Sequence, residues 1–224
     1  MMYIKDFQDE LSSFEFDGNG TKVGYIESEA GRFPYFHNEF WTSGQRQANS
    51  IHEVSYRACY KPQLPAFFIK MLTVEGDTVY DPFGGRGTTA VEAALWGRKI
   101  ISNDANPLSA IFIKPRLNIP PYIDIEQRLC EILKPPIQNF DVELDMFFHP
   151  DTEAEISTLS QYLEKRRECN ETDPVDDWIR MVATNRLTGH SKGFFSVYSL
   201  PPNQAVTPDR QILINKKLNQ IPEY

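Results

Sequence analysis

The 224 residues carry 41% hydrophobic and 24% charged side chains, the proportions of an ordinary globular chain with one sizeable core and a smaller appendage. No run approaches the ~18 apolar residues of a membrane span, and the opening Met1-Met2-Tyr3-Ile4-Lys5-Asp6 lacks the charged-then-apolar pattern of a secretion signal. A net charge of −8 argues against a chain that grips nucleic acid unaided, leaving local basic surface at Arg32, Arg46, Arg57 and Lys61 and again at Arg180, Arg186, His190 and Lys192.

Residues 1–50 are rich in glycine, aromatic and polar side chains without helical periodicity, so an irregular segment is expected, with short strands at 23–26 and 35–36 around a turn. The apolar run 62–72 starts at a proline, where a helix tolerates one, and predicts a short helix. After the turn at Glu75-Gly76-Asp77, residues 78–80 read as a buried strand. A helix over 87–96 ends at Gly97, and residues 99–103 form the second strand. Strand, helix and strand with short connections imply a parallel pair and an α/β fold. From residue 120 onward the pattern turns helical, with amphipathic stretches at 123–133, 151–167 and 174–187 and a weaker one at 208–219, linked through Pro135-Pro136 and residues 169–173.

The chemistry concentrates in Asp81-Pro82-Phe83-Gly84-Gly85-Arg86-Gly87-Thr88-Thr89, which ends the first strand and opens a helix. Glycines at 85 and 87 let the backbone turn sharply and approach a ligand, and helix N-terminal amides favour anionic or carbonyl groups there. Asp104 closes the second strand, where a carboxylate can accept hydrogen bonds from ribose hydroxyls. A glycine loop with a distal acid describes a nucleoside-containing cofactor. The glycine spacing is not the dinucleotide fingerprint, and the Gly-Lys-Ser/Thr of a phosphate-binding loop is missing.

At these residues the chain resembles the S-adenosylmethionine-dependent DNA methyltransferases that act on exocyclic amino groups. Their motif, Asp-Pro-Phe, any residue, Gly, any residue, Gly-Thr, is matched at every fixed position by residues 81–88, with Lys61-Pro62 ahead of it and Asp104 behind it. The resemblance covers residues 55–110. It implies a doubly wound, Rossmann-like methyltransferase domain whose sheet is incomplete in this stretch, with S-adenosylmethionine as cofactor. It further implies that Asp81, Pro82, Phe83, Gly85, Gly87 and Thr88 line the methionine and adenosine pocket. By the same resemblance Asp104 holds the ribose, Asn106 lies at the pocket's edge, and Tyr56, Lys61 and Pro62 belong to the segment closing the methionine end. The expected organisation is an N-terminal segment 1–50, a cofactor core 51–135 and a mainly helical extension 136–224.

Transfer to an amino group needs an acceptor to the target nitrogen and an aromatic face against the flipped base. In the resembled family a tetrapeptide supplies both: Asp, Asn or Ser, then Pro-Pro, then an aromatic. Ile119-Pro120-Pro121-Tyr122 lacks the polar residue, and Ser199-Leu200-Pro201-Pro202-Asn203 has an inserted leucine and no aromatic. The catalytic residues are therefore unassigned, and three readings stay open: an S-adenosylmethionine-dependent DNA methyltransferase or its cofactor-binding portion, a non-catalytic cofactor-binding subunit that needs a partner chain, or an RNA methyltransferase. DNA is the expected partner, with a second subunit or C-terminal half and no membrane. Residues 40–47 and 185–195 mix aromatic, polar and basic side chains in ways that suit either substrate contact or packed loops. Cys59, Cys130 and Cys169 form no disulfide framework, and His37, His52, His149 and His190 lack ligand spacing, so a reducing cytoplasm and no metal are expected.

Overall fold

The computed structural model describes residues 4–39, 48–54, 56, 59–132, 144–187 and 207–218. Two units emerge, residues 1–113 and 114–224, together a mixed α/β arrangement with short parallel and antiparallel sheets and many helices.

The first unit opens with a helix where an irregular segment is expected: α1 (Ile4–Ser13) turns Leu11 into the core and sets Phe7 against Phe68 at 6.3 Å between ring centroids. Ile4, Phe7 and Leu11 do follow helical spacing, but only the packing partner makes so short a helix worthwhile. A two-residue ladder, β1 (Glu15–Phe16) with β2 (Asn19–Gly20), leads into the hairpin β3 (Lys22–Ser28) and β4 (Gly31–His37), antiparallel from Lys22↔His37 to Ser28↔Gly31. The hairpin thus extends the strands expected at 23–26 and 35–36.

A 3-10 turn, Ser50–His52, precedes α2 (Gln63–Leu72), for which Pro62 is the N-cap. Strand β5 (Thr78–Asp81) pairs in parallel with β6 (Lys99–Ser102), and α3 (Thr88–Leu95) connects them. Helix α3 carries Ala90 and Ala93 fully buried with Val91 beside them, so the backbone of the helix can lie close to both strands and to α2. Along each strand burial alternates. Val79 and Ile100 are drawn inward, whereas Tyr80 and Ile101, partners in the register, stay 61% and 56% exposed.

Helix α4 (Leu108–Leu117) is not among the expected elements, and it holds Pro115 inside it although a proline removes a helical donor. The proline is fully buried, and Phe112 and Ile113 are buried one turn before it. Packing has overridden local propensity.

The second unit contains α5 (Tyr122–Ile132), α6 (Pro150–Glu168), α7 (Pro174–Arg186) and α8 (Pro208–Leu218), close to the four amphipathic stretches. Ile132, Val175 and Ile179 form its apolar centre, with Ile125, Leu159 and Tyr162 packed against them. Asp173 caps α7 by accepting from the amides of Val175 and Asp176, and Asp176 returns the bond to the Asp173 amide at 3.2 Å. The same two carboxylates receive guanidinium groups from neighbouring helices. Arg128 donates to Asp176 at 2.7 Å and Asp173 at 2.9 Å, and Arg166 donates to each at 3.0 Å. One pair of aspartates therefore ends a helix and bonds α5 and α6 to it. Among the described residues no helix is long and apolar enough to cross a membrane, and no group of three or more His, Cys, Asp or Glu is placed to hold a metal ion.

Candidate functional site

The loops that follow β5 and β6 are tied together at the carboxyl ends of the two parallel strands. Asn103 donates its amide to the Asp81 carbonyl at 2.9 Å, and Gly84 donates to the Asn103 carbonyl at 2.9 Å. Gly85 then donates to the Asp104 carboxylate (Oδ2) at 2.8 Å, and Asn106 donates to its other oxygen at 2.8 Å. These bonds, the Asn106 amide first, hold the Asp104 carboxyl below its usual range. Gly85 and Gly87 have φ of 51° and 84°, in the left-handed region that side chains disfavour, and Gly87 stands immediately before α3. Gly84 matters for another reason: a Cβ there would fall 2.2 Å from the Ser102 hydroxyl. Sequence reasoning passed over Gly84 because it occupies a variable position of the motif.

Of the residues singled out from the sequence, Asp81, Phe83, Asn106 and Tyr56 are joined to this knot by contacts. Asp81 accepts from the Phe83 amide at 3.0 Å. Pro82 is exposed and Phe83 is 84% exposed, its ring offered to solvent. Thr88 is buried and accepts from Arg86 Nε at 3.1 Å. Asn106 is used twice, its oxygen accepting from the Leu108 amide at 3.0 Å and its amide nitrogen donating to the Tyr56 hydroxyl at 3.2 Å. Tyr56 packs edge-on against Phe112, and its ring edge lies 3.7 Å from where a Cβ on Gly85 would be. Pro62 is buried at the head of α2, and Lys61 presents an exposed side chain while its carbonyl accepts from the Leu64 amide.

Tyr60 lies inside the 56–61 segment expected to close the methionine end, and Arg86, His52 and Glu92 are three further contributors without an expected role. The Tyr60 hydroxyl meets Thr89 and lies 3.5 Å from Asp81, and burial pushes its pKa up. Arg86, at a variable motif position, donates to the Val54 carbonyl at 2.9 Å. His52 and Glu92 form a buried pair at 2.8 Å. Only the position of Tyr60 beside Lys61-Pro62 offered a signal; the other contacts span 32 to 40 residues of chain.

The proline pair at 120–121 serves a different end from catalysis in its visible geometry. Pro120 is buried, the Pro121 carbonyl accepts from the amides of Asp124 and Ile125, and Tyr122 opens α5 with its ring 75% exposed. It is a proline-led helix start. The second pair, at 201–202, lies outside the described residues, as do residues 40–47 and the stretch from 188 to 195.

The strand, glycine loop, helix and acid just described fall inside the region 19–114 matched by the family model for a DNA methylase. That region, under half of the chain, is similar to the DNA methylase family. The family acts on exocyclic amino groups and generally draws its methyl group from S-adenosylmethionine. The chain is also similar to the Type II methyltransferase M.MjaII of Methanocaldococcus jannaschii, at 30% identity over 76 residues, which is 34% of this chain. The matched part spans only 14% of that relative's length. No solved structure matches the chain.

Proposed function

We propose that the methylase segment binds S-adenosylmethionine at the glycine loop and is the cofactor-binding part of a DNA methyltransferase modifying the amino group of adenine or cytosine. The observation that carries this reading is the bond from Gly85 to Asp104, which brings loop and acid together at the carboxyl ends of two parallel strands. Ligands of open α/β sheets bind at such ends, and in this reading the β5–β6 pair is the start of a doubly wound, Rossmann-like sheet.

The donor set fits the group. A carboxylate offers about four acceptor positions, so Asp104 retains capacity for ribose hydroxyls after accepting two amides. The exposed Phe83 ring suits stacking with adenine, and Tyr56 walls the space beside Gly85. Asp81 brings a carboxylate to the side where a cationic sulfonium and amine would lie. The cofactor, when bound, supplies an electrophilic methyl group; the chain's own part is to bind it, orient it and exclude water around it.

We further propose that the loop contacting the target amino group comes from outside residues 1–224, on a continuation of the chain or on a partner. The Pro120-Pro121 pair starts a helix and has no polar residue before it, and residues 199–203 have no aromatic after their prolines. Isothermal titration of the purified chain with S-adenosylhomocysteine tests the first claim. Transfer of labelled methyl groups to mixed-sequence DNA and RNA, by the chain with and without a candidate partner, tests the second. Binding without transfer by the chain alone, and transfer to DNA on adding the partner, is the expected pair of results. Robust transfer by the 224 residues alone would overturn the second claim.

A further inference from the structure

We propose that Arg86 and the buried His52–Glu92 pair are positioning residues that hold residues 49–54 and Tyr56 against the glycine loop, so that Tyr56 stands as a fixed wall of the binding site. This rests on the reading that the glycine loop binds the methyl donor.

The segment is anchored at three points to three different elements. His52 Nε2 meets Glu92 on α3 at 2.8 Å, and the other Glu92 oxygen accepts from the Trp96 indole at 3.2 Å. His52 and Glu92 are only 5% and 7% exposed, and a carboxylate on the inner face of a helix is costly unless it is bonded. Glu92 is therefore bound to require its partner on the segment. Arg86, between the two left-handed glycines, donates from Nη1 to the Val54 carbonyl while its Nε holds Thr88. Two residues on, Tyr56 receives the Asn106 amide and rests on Phe112. Backbone bonds within the turn run from His52 to Asn49, Glu53 to Ser50 and Val54 to His52. The contacts described from these residues to α3, the glycine loop and α4 are made through side chains, and these anchors fix where Tyr56 sits.

An anchored wall favours binding because a ligand then need not order the segment itself. Arg86 is suited to this because its planar fork can serve a carbonyl and a hydroxyl together. It reaches back from the loop that the ligand occupies to the wall that faces it.

The test uses the full chain with S-adenosylhomocysteine as probe, with calorimetry for affinity and amide hydrogen exchange of residues 49–54 without ligand. Arg86→Met should weaken binding roughly tenfold or more, the size of one or two lost hydrogen bonds, and should speed exchange in 49–54. Arg86→Lys should restore part of both, and His52→Gln, which keeps a donor to Glu92, should lie nearer the parent than His52→Ala. Should Arg86→Met fail to fold, Arg86→Lys and His52→Ala carry the same comparison. Affinity within twofold of the parent in Arg86→Met would overturn the proposal. So would weakened binding with unchanged exchange, since Arg86 would then touch the ligand rather than the wall. If the parent chain itself binds no S-adenosylhomocysteine, the methyl-donor reading fails, and exchange in 49–54 alone decides whether Arg86 and His52 hold the segment.

Discussion

Two aspartates show how differently the two units use a carboxylate. Asp104 accepts two backbone amides at the mouth of the glycine loop and remains partly exposed, with lone pairs to spare. Asp176 accepts two guanidinium groups and a backbone amide and is 0% exposed. The first arrangement fixes a loop while leaving the acid open to a ligand. The second saturates the acid and closes it off. A carboxylate that is ordered yet unsaturated keeps acceptor capacity for a ligand, and one that is ordered and saturated acts as a fastener.

That contrast sets the order of expected effects. Asp176→Ala should be most damaging to stability, because it strands Arg128 and Arg166 and breaks the capping box; a loss of about 3–5 kcal/mol is expected for an opened buried pair. Chemical unfolding followed by circular dichroism measures it, and a loss under 1 kcal/mol would show that the network fastens little. Gly87→Val should abolish S-adenosylhomocysteine binding at a smaller cost in stability, roughly 1–2 kcal/mol for a side chain forced left-handed. Normal binding by a folded Gly87→Val would reduce the loop to a plain turn. Asp104→Ala should weaken binding by about ten- to a hundredfold while leaving the helices of the second unit intact; full-strength binding would remove Asp104 from the site.

Acid should act on both units in the same direction. The Asp104 carboxyl is held low by the amides of Asn106 and Gly85. Burial raises the Asp173 carboxyl, but the Arg128 hydrogen bond and the amides of Asp176 and Val175 outweigh it and keep it low. A depressed carboxyl contributes fully above its unfolded value, about 3.9, and its contribution is lost as pH falls through the lower folded value. Binding and helical stability should thus both be flat from neutral pH to about 4 with respect to these groups, and decline below it. The smallest effect belongs to the proline pair: Tyr122→Ala and Ile119→Ser should change stability by no more than ~0.5 kcal/mol and leave binding untouched.

The sequence made legible whatever was local. The strand at 78–81, the glycine loop, the helix behind it and the strand at 99–102 all stand within two residues of where periodicity and punctuation put them. Helix α1 was missed because Phe7 finds its partner in Phe68, far along the chain, and α4 carries Pro115 inside it, where burial outweighs the lost donor. The site was legible as a motif but not as a construction. That Gly84 must clear the Ser102 hydroxyl, that Tyr60 reaches Thr89, and that Arg86 bonds back to Val54 depend on contacts between residues 18 to 32 positions apart in the chain. Spacing rules do not carry such distances.

The most direct measurement is calorimetric titration of the folded chain with S-adenosylhomocysteine beside Asp104→Ala and Gly87→Val. One saturable site is expected in the parent, a much weaker one in Asp104→Ala and none in Gly87→Val. No binding by the well-folded parent, or equal binding by all three, would contradict this expectation.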